Sequence, residues 1–238
     1  MTEQQPDDAG RKLTRPQASD AVTGLGWRFI LGVLRTDVRV ASLAQAADVA
    51  ARVAAVSGTD ADGHLWMDVR RDRLVLSVQS QATDSVTVGD VELVRRISAA
   101  VSDLGLAADP GVGNDASRSV QVLEIGIDAL DIASIRPFWK AVLGYADEAG
   151  SPGPQAALVD PVGQGPAIWF QQMSEPRPQR NRIHFDVSVP HDEAAHRIQA
   201  TLAAGGTLIN DAEAPAFWVL ADAEGNEACI TTWQGRDG

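Results

Sequence analysis

The sequence predicts an α+β protein of two domains, and three observations carry that prediction. Segments of period-2 apolar alternation, which read as strands, are interspersed with segments of period-3.6 spacing, which read as helices. A stretch rich in Gly, Pro, Asp and Asn, AADPGVGNDAS over residues 107–117, separates two such patterned regions. The second region then repeats its own pattern once. With 238 residues, 45% of them hydrophobic, the chain is long enough for two ordinary cores.

Residues 1–18 carry few large apolar groups and are expected to form a disordered arm. A short helix over residues 18–25 is expected next. GWRFILGVLRTDVRV offers two extended runs, with Arg35, Thr36 and Asp37 near their turn. Ser42 opens a helical pattern in which Leu43, Ala46, Val49 and Val53 fall on one face, and Gly58 stops it. LWMDVR and RLVLSVQS read as paired strands joined across Arg71-Asp72. VTVGDVELVRRISAAVSDLG is a second amphipathic helix, its buried side built on Val91, Leu93, Val94, Ile97 and Val101. The order is ββαββα over residues 19–106, followed by a linker over 107–118.

Residues 119–238 hold the repeat. VQVLEIGID reads as a strand, DIASIRPFWKAVLGY as a helix, and AALVDPVGQGPAIWFQQM as strand, turn, strand. RIHFDVSV, DEAAHRIQATLAAGG and APAFWVLADAEGNEACITTW run through the same series again. Asp160-Pro-Val-Gly163 in the first copy takes the place of Asp222-Ala-Glu-Gly225 in the second. A short strand after each helix, Thr207 to Asn210 in the second copy, completes a βαβββ plan. Two such units together can form a curved, eight-stranded cup with an interior cleft.

Several function classes are disfavoured. A net charge of −12 with no dense Lys/Arg cluster opposes binding to nucleic acid or to anionic membranes. No run approaches the length of about 20 apolar residues that spans a bilayer. The opening MTEQQPDDAG lacks the basic and apolar regions of a secretory signal, and the single Cys229 suits a reducing compartment, so the cytoplasm is expected. Gly111-Val-Gly113 and Gly163-Gln-Gly165 fall in a linker and a strand turn rather than in a phosphate loop, and no Gly-x-Ser-x-Gly or His-Glu-x-x-His motif is present.

Phe138-Trp139 with Leu143-Gly144, then Arg182-Ile-His184-Phe-Asp186, then Asp222-Ala-Glu-Gly225-Asn226-Glu227 occur in an order and spacing that resemble the vicinal oxygen chelate superfamily, in its glyoxalase-like branch. The resemblance covers residues 119–234. It implies a paired βαβββ domain whose first and last strands of each repeat supply inward-facing metal ligands. Carried onto this sequence, those positions are Glu124, His184, and Cys229 or Glu227, with Gln171, Arg182, Trp169 and Trp218 lining a substrate pocket. A divalent ion there would keep open positions for a small oxygenated substrate, and a cysteine ligand would favour a softer ion such as Zn²⁺. Zn, Ni, Mn and no metal at all remain equally open. Each residue also has a structural alternative. His184 could line an apolar cup, Glu124 could pair with Arg182 or point outward, Cys229 could be a small core residue, Glu227 could face solvent, and the aromatics could be core.

The N-terminal ββαββα order, over residues 14–106, is similar to the pterin-4a-carbinolamine dehydratases. Gly63-His64-Leu65 falls on their His-His-Pro segment, Ser80-Gln81 on their Thr-His turn, and Asp90 on the Asp before their last helix. Dehydration needs an acid and a base, which imidazoles suit. Of the family's three histidines only His64 is present, so the acid–base set is broken and the domain reads as an inactive scaffold or dimerisation domain, with a catalytic His64 as the alternative. That family commonly oligomerises through its sheets, which implies a homo-oligomer formed by this domain.

Three functions follow. The first is a glyoxalase-like small-molecule-binding protein, with metal-dependent lyase or isomerase chemistry open to it. The second is a 4a-hydroxytetrahydrobiopterin dehydratase. The third is a metal-free protein that sequesters a ligand or confers resistance.

Overall fold

Strand and helix boundaries follow the hydrophobic patterning through both halves of the chain. The computed structural model describes residues 8–112, 119–150, 153–176, 183–232 and 234–235. The chain divides into two units, Met1–Val122 and Leu123–Gly238. Each is α+β.

In the first unit, helix α1 (Arg15–Thr23) leads into β1 (Arg28–Ile30) and β2 (Val33–Arg39). Part of the expected disordered arm is therefore helical, and residues 1–7 lie outside the described residues. A capping box between Thr14 and Gln17, with a proline in the first turn, starts α1, and Ala18 and Val22 anchor it in the core. The β1–β2 turn falls at Leu31-Gly32, earlier than expected. Arg35, Thr36 and Asp37 instead lie inside β2, because alternation places Leu34, Thr36 and Val38 on its buried face.

Helix α2 (Leu43–Ser57) begins on the Ser42 side chain, which accepts from the Gln45 amide; it buries Ala46, Val49 and Val53 while Leu43 stays exposed. Strands β3 (Leu65–Val69) and β4 (Arg73–Val78) form a hairpin, and α3 (Val88–Asp103) follows, with the short β5 (Ala108–Asp109) returning to β2. The sheet order is β1-β2-β4-β3, antiparallel throughout. Leu34, Val38, Leu74, Leu76 and Val78 meet Val49, Val53, Val94 and Ile97 in one core.

In the second unit the repeat is explicit. Strand β6 (Glu124–Ala129), helix α4 (Ile132–Leu143), β7 (Ala146–Asp147), β8 (Leu158–Val159) and β9 (Ala167–Gln172) form the first copy. The second is β10 (Phe185–Ser188), α5 (Ala194–Ala203), β11 (Thr207–Asn210), β12 (Phe217–Ala221) and β13 (Glu227–Thr231). Their sheet orders are β6-β9-β8-β7 and β10-β13-β12-β11, the same arrangement twice. In each copy the first and last strands pair in parallel, which the intervening helix makes feasible. Among the described residues the eight strands form two sheets of four rather than one of eight.

One core serves both copies. Ile127, Ile168 and Phe170 of the first sheet cluster with Leu220, Ala228 and Ile230 of the second and with Ile135, Phe138 and Val142 of α4. Gly144 ends α4 at φ 70°, a left-handed conformation that costs glycine nothing. Trp139 reaches from α4 to the second copy, donating its Nε1–H to the buried Asp222 carboxylate at 3.0 Å and meeting Phe185 edge-on. Glu224 in turn accepts from the Leu130 and Asp131 amides at the start of α4. The two turn motifs recognised in the sequence thus differ in use: Asp160 folds its own loop, whereas Asp222 and Glu224 also hold the other repeat.

Candidate functional site

The strand pairing of the second repeat sorts its side chains onto two faces. Asp186 lies beside Cys229 and Phe185 beside Ala228. Paired positions share a face, so His184, Asp186 and Ser188 stand with Glu227, Cys229 and Thr231. The alternate residues Phe185, Val187, Ala228 and Ile230 turn into the core.

On the first of these faces His184 Nε2 lies 3.5 Å from Asp186 Oδ1. The ligand atoms of His184, Asp186 and Cys229 all lie within 4.8 Å of one another. His184 and Asp186 are exposed and Cys229 is buried, so the group has a closed floor and an open rim. Burial pushes the Cys229 thiol up to about 11, and Asp186 adds to this through its charge and by accepting the Sγ–H, with a smaller push from the Glu227 charge. The thiol therefore stays protonated at neutral pH.

An imidazole, a carboxylate and a thiol are a donor set that suits a tetrahedral borderline ion. Neighbouring ligand atoms on such an ion stand about 3.4 Å apart, given bond lengths of about 2.0–2.3 Å. The His184–Asp186 separation already matches that spacing. Cys229 must lose its proton to join them.

The other candidate residues are distributed elsewhere. Glu124 is exposed at the first position of β6, beside Ala167, and is not in this group. Glu124 and His184 were paired as equivalents by the sequence pattern, but the strand register sets Asp186 as the counterpart of Glu124. Both stand opposite the residue four after the turn glycine, Ala167 after Gly163 and Cys229 after Gly225. Trp169 lies beside Gly126 and Gln171 beside Asp128, on the same face of the first sheet as Glu124. Glu227 is half-buried on the face of β13 that carries Cys229. Trp218 pairs with Ile230 and packs on the core, away from that face. Arg182 lies outside the described residues.

Asp186 is the residue that sequence reasoning passed over. Its signal was its position two residues after His184, which period-2 geometry puts on the same face.

The N-terminal unit holds a separate pair. His64 precedes β3, where its carbonyl accepts from the Gln79 amide. Its Nδ1 lies 2.7 Å from Oδ1 of the fully buried Asp90. Asp90 stands in the first turn of α3, and its other oxygen accepts from the Thr87 amide at 2.6 Å and hydroxyl at 2.8 Å. The helix cap thereby anchors a carboxylate that in turn orients the imidazole, leaving the ring half-exposed.

Residues 124–231, from the first residue of β6 to the last of β13, match the family model described as a glyoxalase-like domain. No curated protein sequence matches the chain. Among solved structures, a glyoxalase/bleomycin resistance protein/dioxygenase family enzyme from Burkholderia phytofirmans is 23% identical, over 46% of this chain and 95% of its own, with a TM-score of 0.36. A glyoxalase-related enzyme from Fulvimarina pelagi is 21% identical, over 49% and 88%, at 0.34. A transcriptional coactivator/pterin dehydratase from Brucella melitensis is 18% identical, over 38% and 98%, at 0.34. Among the described residues no helix is long and apolar enough to cross a membrane.

Proposed function

We propose that the glyoxalase-like domain of residues 124–231 is a small-molecule-binding module that takes a divalent ion of the Zn²⁺ class on His184, Asp186 and Cys229. The observation that carries this is the convergence of three different ligand types within 4.8 Å on one strand pair. Such an ion would supply a Lewis-acid centre with open coordination positions for a small oxygenated ligand.

The protein's own groups set the terms of binding. The exposed His184 imidazole and Asp186 carboxylate present donors to solvent, and the buried Cys229 anchors the floor. Asp186 accepts the Cys229 Sγ–H in a hydrogen bond, so the two groups face one spot, and a cation held there would displace that proton to solvent. Ser188 and Thr231 hydrogen-bond to each other at 2.8 Å further along the same strands. The lone thiol fits a reducing cytoplasm, which we take as the location.

Uptake of Zn²⁺ and Co²⁺ by the purified full chain tests this reading. One equivalent is expected, with a thiolate-to-cobalt absorption band that Cys229→Ser abolishes. Uptake that His184→Ala and Asp186→Asn leave unchanged would remove the metal. Organic-ligand binding without metal uptake would leave a metal-free sequestering protein.

A second reading rests on the His64–Asp90 pair, whose geometry suits acid–base work in the N-terminal unit. It makes this unit a 4a-hydroxytetrahydrobiopterin dehydratase. Stopped-flow dehydration rates equal to background, or unchanged by His64→Ala, would exclude it.

A further inference from the structure

The segment before α1 and the first turn of α3 are far apart in the chain and hydrogen-bonded in the fold. The Leu13 amide donates to the Val86 carbonyl at 2.9 Å, and the Val88 amide to the Arg11 carbonyl at 3.0 Å. Lys12 and Thr87 face each other between these bonds as an antiparallel bridge. Just ahead of them, the short turn Asp8–Gly10 packs against α3. Residues 8–13 thus form a clip across the start of that helix.

Two features fit the clip to this place. The Val88 amide is one of the donors that a helix start leaves without a partner inside the helix, and the Arg11 carbonyl accepts from it. Gly89 allows the close approach: a β-carbon there would stand 3.2 Å from the Ala9 carbonyl oxygen and 3.4 Å from the Ala9 Cβ. Glycine is among the poorest residues for a helix, so its position in this first turn follows from the chain that lies over it.

Thr87, which the clip faces, is also the residue on which the Asp90 carboxylate rests. Its amide and hydroxyl both donate to one Asp90 oxygen, and the other Asp90 oxygen meets His64 Nδ1. Thr87 is 3% exposed and Asp90 not at all. The order of contact is therefore clip, Thr87, Asp90, His64. An ionised carboxylate can only accept, so the neutral imidazole turns its Nδ1–H toward Asp90 and keeps Nε2 as its basic nitrogen.

We propose that residues 8–13 are positioning residues for His64: by closing over Thr87 they keep the Asp90 carboxylate fixed and out of water, and so set the tautomer that the ring presents. Water admitted to the carboxylate would compete for both of its oxygens, and the ring would lose its fixed orientation. The inference deepens the second reading, acid–base use of the His64–Asp90 pair, and rests on it only where activity is measured.

Nitrogen-15 NMR of the full chain reads the tautomer of the neutral His64 ring with no substrate present. The wild type is expected in the Nδ1–H form, and Asp90→Asn, which removes the carboxylate, marks the loss of that preference. Gly89→Leu, which drives Ala9 away while supplying a better helix former, is expected to lower the ratio of Nδ1–H to Nε2–H tautomer about tenfold, and Gly89→Ala by less. Solvent exchange of the Val88 amide reports whether the clip has left. Should Gly89→Leu leave that amide protected, or unfold the unit, deletion of residues 1–11 removes the clip outright and keeps Leu13 and the Thr14 cap of α1. A wild-type tautomer in whichever variant has lost the clip would overturn the proposal. Where the wild type dehydrates 4a-hydroxytetrahydrobiopterin, the same variants are expected to lower kcat about tenfold and to leave KM within about twofold. Where it does not, the dehydratase reading fails and the tautomer still decides the role of the clip.

Discussion

The two repeats of the second unit share a backbone plan and differ in what they display. In one, Glu124 stands beside Ala167 and Gly126 beside Trp169. In the other, the matching positions are Asp186 beside Cys229 and Ser188 beside Thr231. Strand order, parallel pairing and the spacing to the turn glycine are held constant. The core-facing residues keep one character as well: Ile168 and Ile230 are both buried. Duplication therefore preserves the face that must pack and frees the face that does not. One copy offers metal-ligating atoms and the other an exposed tryptophan beside a glycine.

The comparison is most severely tested in the core. Ile168→Ala and Ile230→Ala should each lower unfolding free energy by about 2–5 kcal/mol, read from denaturant melts. A negligible loss in only one of them would mean that the two sheets do not share the packing equally. Next in size is the difference between the open faces. His184→Ala and Asp186→Asn should each weaken Zn²⁺ binding by about 100-fold or more, while Glu124→Gln, in the other sheet, should change it by less than about twofold. Comparable losses from Glu124→Gln would bring both repeats into one metal site.

The pH dependence of Cys229 sharpens the contrast with Ala167, which has no titrating group. A thiol held up to about 11 binds its proton more tightly in the folded protein than in the unfolded chain. The stability it contributes is complete below the ordinary thiol range and falls away as pH rises through about 11. Melts between neutral and alkaline pH should show this decline in the wild type and a shallower one in Cys229→Ala. The smallest effect concerns the two helices. The Asp131 side chain accepts from the Ser134 amide at the start of α4, whereas Glu193 makes no such cap on α5. Asp131→Ala should cost about 1 kcal/mol and Glu193→Ala less than about 0.5 kcal/mol.

The helices of the first unit were legible because Ser42 and Gly58 bracket one, and Val91, Leu93, Val94, Ile97 and Val101 mark the buried side of the other, whose start on the Thr87 cap only the structure shows. The β1–β2 turn was misplaced because a buried threonine, Thr36, reads as a turn residue; its hydroxyl donates to the Gly26 carbonyl and so can sit inside a core. In the second unit, the motif around His184 lies on the strand where His184, Asp186 and Cys229 converge, and Trp218, which the sequence left open between pocket wall and core aromatic, packs on the core. Aromatic identity does not reveal which side of a strand a ring occupies; register does.

By itself the sequence determined the alternation of strands and helices, the duplicated βαβββ unit and the residue types available for chemistry. These depend on local patterning, in which each residue's neighbours along the chain carry the signal. Only the tertiary structure decided that Asp186 rather than Glu124 joins His184 and Cys229, and that Trp169 lies beside Gly126. Those contacts cross between strands far apart in sequence, and a shift of register by one residue would send each side chain to the opposite face.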